Sequence, residues 1–344
     1  MRRLLLILLL LPACLIAQQN LTYRKSAGMM GSQFGLTATS PNDSLNRAAV
    51  RAGLKEIQRI ENLISSWDKN SQTSEINRQA GIKAVKVDWE LYSLINRSLK
   101  IAKLTEGAFD ISFASADRIW KFDGSMQGLP TDSAINASVS KINYENIQLN
   151  PQDTSVFLLE KGMKIGFGGI GKGYAANRAS LLMHQMGIKS GLVNAGGDII
   201  CWGRPAEREL WRIGIADPKS EEKMLAWLGI KDLAVVTSGD YERFAMIEGK
   251  RYAHIINPKT GWPVSGLKSV TILCPDAELA DALATSVFVL GREKGLALIN
   301  QLKDVEGLLL TDEDELLSSQ GIEIERSAAG ENTTYQLKLR SKKP

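Results

Sequence analysis

The chain has 344 residues, 44% hydrophobic and 23% charged, and 42 Lys and Arg against 38 Asp and Glu give it a net charge of +4. That composition belongs to a globular protein with enough apolar residues for a large core, and so weak a positive balance gives no footing for nucleic acid as a partner. Two histidines, His184 and His254, and three cysteines exclude a zinc framework and a disulfide scaffold.

The first residues read as an export signal. Arg2 and Arg3 are followed by Leu4 to Leu11, an apolar run too short to span a bilayer, and the segment covers 1–17. Two cuts are compatible with the residues. Leu11-Pro12-Ala13-Cys14 resembles a lipobox, which would leave a lipidated Cys14 anchored at the inner membrane; a cut after Ala17 would leave no anchor. Either way the mature protein, 20–344, is expected outside the cytoplasm, in the periplasm, with Cys201 and Cys274 remaining and a net charge of +2 once Arg2 and Arg3 are gone.

Residues 23–40 read as one strand interrupted at Gly31 and Gly35. Pro41 to Ser44 then cap a helix whose Leu54, Ile57, Ile60 and Ile64 follow helical spacing. A loop is expected over 68–81, a second helix from Asp88 to Thr105, a stretch rich in small residues over 107–122, and polar loop over 123–153.

The densest signal follows. Met163 to Phe167 reads as a strand and Ile170 as the start of a helix, with glycines at 166, 168, 169, 171 and 173 and a lysine at 172 between and beyond them. Glycine lets backbone amides approach a ligand and adopt positive φ, and Lys172 adds a point charge, so the segment has the makings of a phosphate-binding turn. Gly166, Gly168 and Gly171 satisfy a dinucleotide GxGxxG, while Gly166, Gly171 and Lys172 nearly satisfy a P-loop. Gly173 cannot give the P-loop hydroxyl, and a second glycine turn, NAGGD at 194–198, stands where the dinucleotide unit needs its strand. A turn that only lets a helix pack tightly stays open.

Short β-like runs come next: Leu210 to Ala216, Leu233 to Val236, Arg243 to Ile247, Tyr252 to Ile256 and Ser269 to Cys274, the third and fourth joined as a hairpin through Glu248-Gly249-Lys250. Helices are expected over 276–291 and from Glu293 to Leu302, and a closing hairpin from Gly321 to Arg326 and Thr334 to Leu339. With no linker in 20–344 and too little chain between strands for crossover helices, the reading is one continuous α+β unit with mainly antiparallel strands and packed helices.

Three further groups carry chemistry. Asp281 and Thr285 share one face of a predicted helix and, with carbonyls freed by a glycine turn, form an all-oxygen set suited to magnesium; a solvated Asp281 and a packed Thr285 are the bland alternative. His254 leads into the turn Asn257 to Gly261 and is either a packed residue or a proton carrier. Trp67, with Phe109 and Asp110, is either core or a face on which a flat ring stacks.

In order along the chain, MGS (30–32), SSWDKNSQTSEIN (65–77), GAFD (107–110), GFGGIGKGYA (166–175), NAGGD, TSGDYERF (237–244), HIINPKTGWPV (254–264) and ADALATSVFVLG (280–291) resemble the motif series of the ApbE family, the FAD:protein FMN transferases. The resemblance implies a single T-fold-like α+β domain and a magnesium-dependent enzyme that moves FMN from FAD to a Ser or Thr hydroxyl of an exported or membrane redox protein, releasing AMP. By motif it implies FAD contacts from Met30, Trp67, Ala108, Phe109, Asp110, Lys172 and the Ile255 backbone. It places metal ligation on Gly169, Asp281 and Thr285, with Ala284 through its backbone, and proton transfer on His254. The chain departs from the family pattern at Gly166 and Asn257, where Asp is usual, and at Gly171, where Ala is usual. An FAD pyrophosphatase and a non-enzymatic flavin carrier are the alternatives; a dinucleotide dehydrogenase lacks its βαβ units.

Overall fold

The computed structural model describes residues 20–126, 128–240, 244–327 and 334–340. The expected export signal, with Cys14 and Ala17, lies outside them, as do Tyr241, Glu242 and Arg243 of the TSGDYERF stretch.

Instead of one interrupted strand, residues 21–40 form a hairpin: Leu21–Met29 and Ser32–Ser40 pair antiparallel around Met30 and Gly31. Both turn residues have positive φ, 51° and 71°, the twist that a two-residue turn needs to match its strands. Met30 is held there by a 2.8 Å hydrogen bond from its N–H to Glu61 Oε1.

This hairpin begins an eight-stranded sheet that continues in space through Ser190–Ala195, Asp198–Trp202, Leu233–Gly239, Leu267–Cys274, Glu306–Thr311 and Leu316–Ser318. Every pairing in it is antiparallel. Because successive side chains alternate between faces, Val236, Val270, Ile272 and Leu309 pack toward helices, while Val235, Leu273 and Leu308 pack toward a second sheet. That second sheet, ordered Ile322–Ser327, Thr334–Leu339, Ser220–Ile230, Trp211–Asp217, contains one parallel pairing, Tyr335 to Leu337 against Ala226 to Leu228.

The alternation also settles the cysteines. Cys201 stands opposite Leu233 and Cys274 opposite Ala234 on the strand between them, in clusters on opposite faces. Both are free, buried thiols, pushed up to about 12 by burial.

Six helices complete the described chain: α1 (Asp43–Ile64), α2 (Gln72–Arg78), α3 (Trp89–Leu104), α4 (Asp132–Val139), α5 (Gly171–Gln185) and α6 (Ala277–Gln301). The expected apolar stripe of α1 is observed, with Ile57, Ile60 and Ile64 buried and Asn42 capping through its side chain. Helix α1 lies over the first hairpin, α5 over Ser190–Trp202 and α6 over the strands Leu233–Gly239 and Leu267–Cys274. The two helices expected at the end of this run are both present within Ala277–Gln301, meeting at a kink where Gly291 (φ 76°, ψ 179°) leaves helical geometry.

Two helices fall where loop was expected. Helices α2 and α4 span seven and eight residues, about two turns, too short for a 3.6-residue period to show. Each begins at a hydroxyl cap, Ser71 accepting from Ser74 N–H and Thr131 from Ala134 N–H. Ile147–Asn150, in the stretch read as loop, is a strand of a small three-stranded sheet with Ser155–Leu158 and Val85–Lys86.

Candidate active site

The segment before α5 is not the strand its sequence suggested. Its backbone groups are satisfied by side chains instead of a neighbouring ladder. Asn77 of α2 accepts from Ile165 N–H at 2.7 Å and donates to Ile165 O at 3.0 Å, and Ser115 Oγ accepts from Lys164 N–H at 2.7 Å. Gly166 N–H donates to Ile111 O at 2.9 Å. The glycine turn is thereby tied to α2 and to the short 3₁₀ turn Ile111–Ser115.

From there the chain enters α5 at Ile170, which offers no side-chain cap. Its place is taken from across the cleft: Asp281 Oδ2 of α6 accepts from Gly173 N–H at 3.0 Å. The helices approach so closely that a Cβ on Gly173 would lie 2.1 Å from Ala277 O. Neighbouring Gly168 has open space where its Cβ would be, and a Cβ on Gly169 would lie 3.3 Å from Thr285 Oγ1. Packing therefore requires glycine at 173, whereas Gly168 leaves backbone bare toward the cleft.

The cleft measures about 450 Å³, in the range of small-molecule sites. Helix α6 contributes Asp281, Thr285 and Val289, four residues apart and so on one face. Lys172 reaches Asp198, the last residue of the NAGGD turn, at 2.6 Å. Asp198 is only 2% exposed, and a buried carboxylate of this kind needs a charged or hydrogen-bonding partner.

The opposite side is apolar and aromatic. Phe109 and Ala108 are buried, and Asp110 caps the 3₁₀ turn, accepting from Ser112 N–H at 2.7 Å and from Ser112 Oγ at 2.6 Å, and from Tyr144 N–H at 2.9 Å. Burial pushes the Asp110 carboxyl above its ordinary value, against these hydrogen bonds, which favour the charged form. His254 follows the hairpin Phe244–Ile247 and Lys250–Ala253, and its ring meets Phe122 edge-on at 6.5 Å between centroids. The turn beyond it forms as expected, with Gly261 N–H donating to Asn257 O at 2.9 Å.

The ApbE family model matches residues 30–309. The chain belongs to the ApbE family. A Treponema pallidum protein named FAD:protein FMN transferase is 33% identical over 294 residues, covering 80% of this chain and 81% of the relative. One from Klebsiella pneumoniae with the same name is 31% identical over 303 residues, covering 87% and 93%. The crystal structure of the ApbE protein from Thermotoga maritima superposes with a TM-score of 0.79 at 31% identity, covering 87% of this chain and 97% of that one.

In this ApbE-family chain one cleft is lined by Trp67, Ala108, Phe109, Asp110, Gly169 and Lys172, together with His254, Ile255, Asp281 and Thr285. Met30 and Ala284 stand behind that lining. The Met30 methyl packs beside Gly171, 3.4 Å from where a Cβ there would be, and Ala284 is fully buried in the core under α6. At Gly166 a Cβ would lie 3.0 Å from Ala114 Cβ and 3.7 Å from Ser66 Oγ, so an aspartate there would need Ala114 to give by a fraction of an ångström. Sequence reasoning left Asp198, Ser66 and Val289 without a role in the cleft. For Val289 the four-residue spacing from Thr285 was the available signal, and for Asp198 it was the polar residue directly after a Gly-Gly turn.

Proposed function

We propose that this protein transfers FMN from FAD to a Ser or Thr hydroxyl of an exported or membrane redox protein, releasing AMP, and that it does so with magnesium. The observation that carries this reading is the convergence in one cleft of an aromatic end, a glycine turn with Lys172, an oxygen-rich α6 face and His254. An adenine dinucleotide of flavin has matching parts: a flat ring, a pyrophosphate and a leaving adenylate.

The residues fit a magnesium ion in their chemistry. Asp281 would offer a carboxylate, Thr285 a hydroxyl and Gly169, which packs against Thr285, a carbonyl, while Ala284 lies in the core behind the lining. Magnesium takes one or two carboxylates and completes its shell with phosphate and water, and Asp281 brings one such carboxylate to the cleft. Bound there, magnesium would neutralise charge on the pyrophosphate oxygens.

Lys172 and the exposed backbone at Gly168 would hold the phosphates, with the positive end of the α5 dipole behind them. Trp67, Ala108, Phe109, Asp110 and Ile255 would receive the flavin end, and Met30 would support it from behind Gly171. The acceptor oxygen attacks the FMN phosphorus and forms the new P–O bond. The bond from that phosphorus to the bridging oxygen breaks, AMP leaves with that oxygen, and the hydroxyl proton passes to His254. We place the protein in the periplasm, on the strength of Arg2, Arg3 and the apolar run Leu4 to Leu11, with a lipid on Cys14 as one form of its N-terminus.

The test incubates the purified mature protein with FAD, magnesium and an FMN-binding redox domain, and weighs the acceptor. A gain of one FMN phosphoester, lost with chelator and in Asp281→Ala, is expected. AMP release without a mass gain would replace this reading with hydrolysis, and flavin binding with neither product would leave a carrier.

A further inference from the structure

The loop that carries Trp67 is tied by hydrogen bonds while its side chain is exposed. Ser65 Oγ accepts from Trp67 N–H at 3.2 Å and Asp68 N–H at 2.9 Å, and Ser71 Oγ ties back to Ser65 O. Yet the residue is 77% exposed. The guanidinium of Arg118 lies over the face of this indole, 4.4 Å from the ring centroid. Arg118 is itself on a fixed stretch. Asp117 N–H donates to Ser138 O at 3.1 Å, and Trp120 Nε1–H donates to Gly261 O at 2.9 Å.

Trp67 lines the cleft and Arg118 occupies one face of its ring, so the face left for a stacking ligand is the other. An exposed tryptophan otherwise samples several rotamers, and a ligand stacking on it must bear the cost of choosing one. With one face occupied by Arg118, the ring keeps its other face for the ligand.

We propose that Arg118 is a positioning residue for the isoalloxazine end of the substrate, acting through Trp67. The inference rests on the functional reading above and adds to it a residue that touches neither the phosphates nor the reacting atoms. It assigns an effect to the flavin ring alone, so ligands lacking that ring are indifferent to it.

The experiment titrates the full mature protein with FAD, FMN and ADP, following the visible band of the flavins and competition by ADP. Arg118→Ala should weaken FAD and FMN by about two- to five-fold, the worth of an exposed cation–π contact, and leave ADP unchanged. The visible shift at saturation should shrink with it, a signature that a purely structural role would not move. Arg118→Lys should recover part of the affinity. In a Trp67→Ala background, Arg118→Ala should have no further effect. Unchanged flavin affinity in Arg118→Ala, or an equal loss for ADP, overturns the inference while leaving the transferase reading standing. Failure of the parent protein to bind any flavin would overturn both.

Discussion

Behind the floor of the cleft a Cβ added to Gly173 would lie 2.1 Å from the Ala277 carbonyl oxygen, whereas at its mouth the Trp67 side chain is 77% exposed. The floor is made of backbone, a lysine paired with buried Asp198, and a carboxylate that caps a helix from the outside. At the mouth Trp67 stands on a hydrogen-bonded loop, and His254 follows a two-stranded hairpin. The contrast teaches that the two ends tolerate different errors. A floor held by close packing can keep charge in place without reorganising during reaction. A mouth that presents the exposed Trp67 ring can receive a flavin without disturbing that floor.

His254, on the cleft lining, should show the largest effect. His254→Ala is expected to lower FMN transfer about 10²- to 10⁴-fold, the usual worth of a positioned proton carrier, with FAD binding retained. Transfer at the parent rate would remove His254 from the reaction. Next comes the packing of the floor. Gly173→Ala should destabilise the protein by about 1–3 kcal/mol or more through overpacking against α6, read as a lowered denaturation midpoint with the slope unchanged.

Gly168 sharpens the comparison within the same turn, because its Cβ position is open. Gly168→Ala should leave stability within about 0.5 kcal/mol of the parent. Its FAD affinity should nevertheless fall about tenfold, as expected if one hydrogen bond to a charged phosphate is lost. Equal affinity would mean that the glycine serves packing alone.

The smallest effect is a pH slope at the mouth. Burial raises the Asp110 carboxyl above its ordinary 3.8, so the folded state holds that proton more tightly than the unfolded chain. Its contribution to stability is therefore full below the ordinary value and is lost as pH rises through the raised one. Asp110→Asn removes the titration, and the melting temperature of the variant relative to the parent should rise across that window. A difference independent of pH would show that Asp110 does not titrate there.

Much of this was legible in the residues, and for identifiable reasons. The α1 stripe, the Asn257 to Gly261 turn, the Glu248-Gly249 hairpin and the closing hairpin each depend on neighbours within a few positions. Asp281 and Thr285 could be placed on one helical face because four residues make about one turn. Sequence misread Met163 to Phe167 because the apolar alternation was real but the partners were not strands: Asn77 and Ser115 took the backbone bonds, and no local pattern announces a side chain 88 positions away. The first hairpin was missed because its left-handed turn falls on a methionine, secured by Glu61 from another helix.

The sequence by itself determined the α+β class, the glycine turn and the identity of the chemistry-bearing side chains, because those follow from period, spacing and residue type. Only the tertiary structure decided that Asp281 caps α5, that Lys172 meets Asp198, that Cys201 and Cys274 face opposite ways, and that Arg118 backs Trp67. These contacts join segments far apart in the chain, and their energy comes from excluding water between surfaces that meet only once the sheet has assembled.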